Sequence, residues 1–137
     1  MEILLLGPYP PPHGGVQTNL VAIRRYLLER GVPCRVINLT RYRQPDHDGV
    51  YFPGSAPGVL GLLARLPASI VHLHIGGAIT GRLLLLGLVC ALLPGRRAVL
   101  TLHSGGYPTS PEGRSARPRS WRGFVFRRFD RIIAVNE

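Results

Sequence analysis

Histidines and paired glycines gather in three short stretches of this chain: Gly7-Pro8-Tyr9-Pro10-Pro11-Pro12-His13-Gly14-Gly15, His72-Leu73-His74-Ile75-Gly76-Gly77 and His103-Ser104-Gly105-Gly106. Imidazole can donate, accept or exchange a proton near neutral pH, and glycine lets a ligand approach the backbone closely. Gly14-Gly15 immediately precedes a helical pattern, so its free N–H groups and positive dipole end suit an anion such as a phosphate. The competing reading is a sharp turn that follows the run of prolines. His72 and His74 stand two apart and would point to one face of a strand, so that with His103 nearby a metal site is conceivable. No carboxylate or cysteine lies close in sequence to complete one, and no metal is expected. His72 reads as a satisfied core residue, and His74 reads either as core or as a group at the mouth of a crevice. His103, which ends an apolar run and begins a glycine turn, is the leading site residue.

Several chemistries are excluded by what is missing. All 17 basic residues are arginine, and the absence of lysine removes Schiff bases, a P-loop lysine and a Ser-Lys dyad. Neither GxGxxG nor the Walker pattern occurs, and there is no G-x-S-x-G nucleophile elbow. Cys34 and Cys90 lie far apart within apolar stretches, which fits a reducing compartment without a disulfide framework. No carboxylate stands near a strand end before Glu137, so a self-contained hydrolase is not expected.

The elements that must position these groups follow from hydrophobic spacing. Ile3–Leu6 is a continuous apolar run closed by Gly7-Pro8, as in a parallel strand buried on both faces. From Gly15 to Arg30, Val16, Leu20, Ile23, Leu27 and Leu28 recur at three- and four-residue spacing, which predicts an amphipathic helix stopped by Gly31. Strands are expected at Cys34–Leu39, Val50–Pro53 (a short edge), Ser69–His74, Arg97–Leu102 and Arg131–Val135. Helices are expected at Val59–Leu66, Thr80–Leu93 and Ser120–Phe129, and Ser104–Ser120 reads as a mobile loop. Strands alternating with helices imply a Rossmann-like, doubly wound, mainly parallel sheet of about six strands with helices on both faces. The expected order is edge, second, first, then Ser69–His74, Arg97–Leu102 and Arg131–Val135. All three histidine and glycine stretches then stand on the carboxyl rim of the sheet, where such folds bind ligands.

At 137 residues the chain is one domain, and 17 basic against 7 acidic residues leave a net charge of +10. That charge suggests an anionic partner without naming it. The segment Arg114–Arg131 interleaves seven arginines with Trp121, Phe124, Phe126 and Phe129. It reads as a solvated helix face or as a contact with an anionic membrane surface, nucleic acid being the weakest candidate. The apolar run Leu83–Leu93 is too short to span a bilayer, and no basic n-region precedes Ile3–Leu6. A cytoplasmic protein is expected, in the peripheral case on the inner membrane face.

Four motifs in order carry a family resemblance: Gly14-Gly15-Val16-Gln17 with Leu20, Leu27 and Gly31; Ile70-Val71-His72-Leu73-His74; Leu100-Thr101-Leu102-His103; and Asp130-Arg131-Ile132-Ile133-Ala134-Val135. Together they resemble the N-terminal, acceptor-side half of family 4 glycosyltransferases of the GT-B fold. The resemblance implies transfer of a sugar from a nucleotide-sugar donor to a carbohydrate or lipid-linked acceptor, with retention of configuration and without a metal or other cofactor. It places Gly14 and Gly15 at the donor phosphates, His103 near the transferred sugar as the catalytic residue, and Tyr9, Gln17 and His74 on the acceptor side.

The chain also departs from the family pattern. The family's "RGHxV" appears as Arg30-Gly31-Val32-Pro33-Cys34-Arg35-Val36, its "HG" as His103-Ser104, and the serine after "iiav" as Asn136. No two glutamates are eight apart, so the E-x7-E motif of the donor-binding half is missing. The expectation is an acceptor-side domain without its donor-binding C-terminal half, as a fragment or one subunit of a split enzyme, inactive alone. The rival reading is a basic adaptor that binds a membrane or polymer without catalysis. A small NAD-type domain is disfavoured because Leu39-Thr40 stands where such a fold carries an acidic residue.

Overall fold

Among the described residues, alternating apolar runs and amphipathic helices build six parallel strands and four helices. The computed structural model describes residues 1–77, 79–103 and 120–135. The strands are β1 (Ile3–Gly7), β2 (Cys34–Asn38), β3 (Val50–Tyr51), β4 (Ile70–Ile75), β5 (Arg97–Leu102) and β6 (Arg131–Ala134). The helices are α1 (Gly15–Glu29), α2 (Ala56–Arg65), α3 (Gly81–Leu92) and α4 (Trp121–Phe126). The sheet order β3-β2-β1-β4-β5-β6 is the one expected from the sequence, and every pair is parallel. Of the loop expected over Ser104–Ser120, residues 104–119 lie outside the described residues, as do Asn136 and Glu137, while Ser120 caps the last helix.

The alternation of strand side chains sorts the core into two layers. Leu4, Leu6, Val71, Leu73 and Leu100 face α2, α3 and α4, whereas Leu5, Cys34 and Val36 meet Leu20 of α1 on the other face. Helices therefore cover both faces. His72 pairs in register with Leu5, so the even-numbered residues of β4 belong to the α1 face. Both cysteines are free and buried, and burial pushes the Cys34 thiol up to about 11 and the Cys90 thiol up to about 12.

Local chemistry explains the element ends. Gly31 (φ 74°) follows α1, and the Gly31 and Val32 N–H groups donate to the Leu28 and Leu27 carbonyls, each at 3.0 Å, closing a Schellman turn that favours glycine. α2 begins at Ala56, three residues earlier than the spacing predicts, because the Ser55 hydroxyl accepts from Gly58 N at 3.2 Å and Pro57 suits a first turn. β3 ends at Tyr51, short of the expected Pro53, where Phe52 N leaves the ladder for Asp46 Oδ1 at 2.8 Å. α4 is likewise shorter than predicted and ends at Phe126, although Phe129 beyond it still packs into the core.

Candidate functional site

Among the described helices, α1 alone begins without a side-chain cap. Gly14 stands at its N-cap in extended conformation (φ −157°, ψ 178°), and no acidic residue occupies the first turn. Thr18 N donates to Gly14 O at 2.9 Å, so the N–H groups of Gly15, Val16 and Gln17 precede the helical ladder. An ideal Cβ at Gly15 meets no atom within 4 Å, so the space beside the Gly15 backbone is open. At Gly14 a Cβ would lie 2.7 Å from Gln17 Oε1, which places the Gln17 side chain beside Gly14. The first turn of α1 rests on the end of β4: a Cβ at Gly76 would come within 2.6 Å of Val16 Cγ2.

The second group on this rim is a column of imidazoles. His72 Nε2 lies 2.6 Å from Thr101 Oγ1, and His74 Nδ1 lies 3.0 Å from His103 Nε2. In register His72 opposes Val99 and His74 opposes Thr101, so each histidine reaches the residue two places beyond its strand partner. The rings also pack on one another, with centroids 4.0 Å apart for His72 and His74 and 5.3 Å for His74 and His103. Gly7 makes room at the centre, since a Cβ there would stand 2.9 Å from Leu20 Cδ1 and 3.1 Å from His74 Cβ.

Burial decides the charge of this column. It lowers His72 to about 4, with the neighbouring His103 adding to the effect. It lowers His74 to about 3, with His72 and His103 adding smaller amounts. His103, partly open to solvent, is lowered by burial as well. His72 and His74 are therefore neutral at pH 7. His74 is 1% exposed, and its Nε2 has no hydrogen-bond partner. It meets the rim through His103.

Tyr9 stands on the β1–α1 connection, where its N–H donates to Asn38 Oδ1 at 3.1 Å and its ring meets Phe52 edge-on at 6.3 Å. Gln17, Gly14 and Gly15 lie at one helix end, whereas His74 and His103 lie at the ends of β4 and β5. Parallel strands bring all of them to one rim, with Val16 on Gly76 as the direct link between the two groups. Among the described residues no group of three or more His, Cys, Asp or Glu side chains is placed to hold a metal ion.

Two residues to which the sequence reading gave no role hold this arrangement, Asn38 and the Asp130 that opens the last family motif. Asn38, 1% exposed, accepts at Oδ1 from Tyr9 N, Thr40 N and the Thr40 hydroxyl and donates from Nδ2 to Tyr42 O. Its signal was its place at a strand end beside a polar link. Asp130 Oδ2 accepts from Ala98 N at 2.8 Å while Asp130 N donates to Ala98 O at 2.9 Å, which sets the start of β6 against β5.

Several arginines hold backbone carbonyls. Arg96 donates to Leu63 O and Leu66 O at the end of α2, Arg24 to Cys34 O and Asp48 O, and Arg122 to Ile79 O. In the basic aromatic segment, Arg114, Arg117 and Arg119 lie outside the described residues. Trp121 is 50% exposed and stacks on Phe124, whose ring also carries Arg128 at 4.4 Å. Among the described residues no helix is long and apolar enough to cross a membrane.

No curated protein matches the sequence significantly. The glycosyl transferase 4-like domain family does match it, over residues 2–137. That span contains the six-stranded parallel sheet, the open end of α1 and the histidine column, and it shows the chain to belong to this family as a family 4 glycosyltransferase N-terminal domain.

Proposed function

We propose that this chain is the acceptor-side domain of a GT-B glycosyltransferase that moves a sugar from a nucleotide-sugar donor to a carbohydrate or lipid-linked acceptor, with retention of configuration and without a metal. The observation that carries the reading is the open backbone approach at Gly15, on the same rim as His103. Charge builds on the diphosphate as the sugar leaves, and N–H groups fixed at a helix N-terminus stabilise it without reorganising. Gly14 and Gly15 fill this role. His103, partly exposed, touches the transferred sugar, and Tyr9 and Gln17 contact the acceptor. His74, buried, serves the acceptor side through His103. One helix end meets only one side of a diphosphate, so a second, donor-binding domain or subunit supplies the nucleotide site and the E-x7-E carboxylates.

The test is a transfer assay with a panel of radiolabelled nucleotide sugars, on the 137-residue chain alone and joined to a donor-binding half. The expected result is no turnover alone and turnover when joined, with His103→Ala lowering the rate more than the fold stability. Steady turnover by the lone chain that His103→Ala abolishes would overturn the two-half arrangement. Absence of transfer from every sugar by the joined protein would overturn the transferase reading.

A second reading, attachment to an anionic membrane surface on the cytoplasmic side, is favoured by one observation, the exposed Trp121 beside exposed Arg127 and Arg128. It is compatible with the first.

A further inference from the structure

We infer that His74 sets the tautomer of His103: the His74 Nδ1–H donates to His103 Nε2, so that neutral His103 carries its own proton on Nδ1 and presents a hydrogen-bond donor, not a base, at that atom. Two neutral imidazoles hold one proton each, and the 3.0 Å separation of His74 Nδ1 and His103 Nε2 requires one of the two atoms to donate. If His103 donated from Nε2, the proton of His74 would sit on its own Nε2, which is buried and has no partner. An orphaned buried N–H is the more expensive and the rarer defect, whereas a bare ring nitrogen leaves only an unused lone pair. The proton of His74 therefore resides on Nδ1.

The surroundings hold His74 in the orientation this needs. His72 packs against its ring and is itself tied to the Thr101 hydroxyl at 2.6 Å, while Gly7 leaves space beside its Cβ. Protonation of His74 would remove the distinction between its nitrogens, and burial prevents it at neutral pH. His103 Nδ1 has no partner among the described residues, so the donor is available to a substrate oxygen. His74 is thus a positioning residue that acts through His103. The catalytic consequence rests on the transferase reading above; the protonation state does not.

The test separates the two. Long-range nitrogen–proton correlation spectra of the histidine-labelled chain, with His13, His47, His72, His74 and His103 assigned by single substitutions, report which ring nitrogen carries the proton. A pyrrole-type Nδ1 and pyridine-type Nε2 on His103 are expected at pH 7.5. The reverse pattern overturns the inference whatever the enzyme does. His74→Phe keeps a ring but removes the donor, and His103 should then revert to the Nε2–H form that free imidazole side chains prefer. His74→Asn, whose amide can donate from nearly the same place, should retain Nδ1–H and guards against a Phe variant that fails to fold. In the joined transferase His74→Phe should lower kcat about tenfold or more at little change in donor KM, the scale of groups that orient another side chain, with partial rescue by Asn. Unchanged kcat in His74→Phe while His103→Ala is inactive would overturn the positioning role alone; unchanged rates in both would overturn the role of His103 in the transferase reading.

Discussion

Asn38 at the end of β2 carries the backbone of Tyr9 at the end of β1: a single buried amide oxygen accepts from Tyr9 N at 3.1 Å and also from Thr40 N at 3.2 Å. The loop that leads to the glycine pair and the loop that leads to β3 thus share one acceptor. Asn38→Ala leaves these donors partly buried without a partner. Unfolding in urea should show a loss of roughly 2–3 kcal/mol, in the range for orphaned buried polar groups. A loss below about 0.5 kcal/mol, the level of an indifferent surface change, would mean that water replaces the amide.

Acid should weaken the fold before the carboxylates titrate. The folded values of His72 and His74, about 4 and about 3, lie below the ordinary value of 6.5, so the folded state binds fewer protons than the unfolded chain in this interval. Stability is then full above about pH 6.5 and declines as the pH falls towards the folded values. Urea midpoints measured between pH 7 and pH 5 should fall, and His72→Phe or His74→Asn should flatten the fall. A wild-type midpoint constant over that interval would contradict neutral burial.

Gly15→Val places a side chain in space that is empty in the folded chain, so the thermal midpoint should change little. In the joined transferase the same side chain stands where the diphosphate would approach the helix end, and nucleotide-sugar affinity should fall at least tenfold, about 1.4 kcal/mol. Calorimetry that returns the wild-type affinity would move the phosphates away from Gly14 and Gly15.

Attachment through the basic aromatic segment should depend on charge and salt together. Sedimentation with phosphatidylglycerol vesicles should exceed that with phosphatidylcholine vesicles. It should weaken as added salt shortens the screening length below the ~8–10 Å of physiological solutions and fall again in Trp121→Ala. Equal sedimentation with both lipids would leave the exposed arginines as a solvated face.

The identity and order of the described strands and helices were legible from hydrophobic spacing, because each element must bury one stripe or both faces, and the period of that burial is written in residue type. Ile3–Leu6 announces a central strand and Gly31 a helix end without any tertiary information. The boundaries that shifted by more than one residue, at Ala56, Tyr51 and Phe126, are set by local hydrogen bonds and caps, which hydropathy does not record. The site was legible in part. The sequence picked out His72, His74, His103 and the glycine pair as residues of interest, since polar or absent side chains at the ends of apolar runs stand out locally. Which of them touch was decided by the parallel register of β4 on β5, which sets His74 against His103 and His72 against Thr101 across 29 residues of chain. Burial was likewise a tertiary decision: neighbouring strands and α1 close over both His72 and His74, and desolvation takes the charge of each away at neutral pH. Asn38 was silent in the sequence, and Asp130 stood out there only as part of a motif, for the same reason: a polar residue reveals its work only when distant backbone arrives to be bonded.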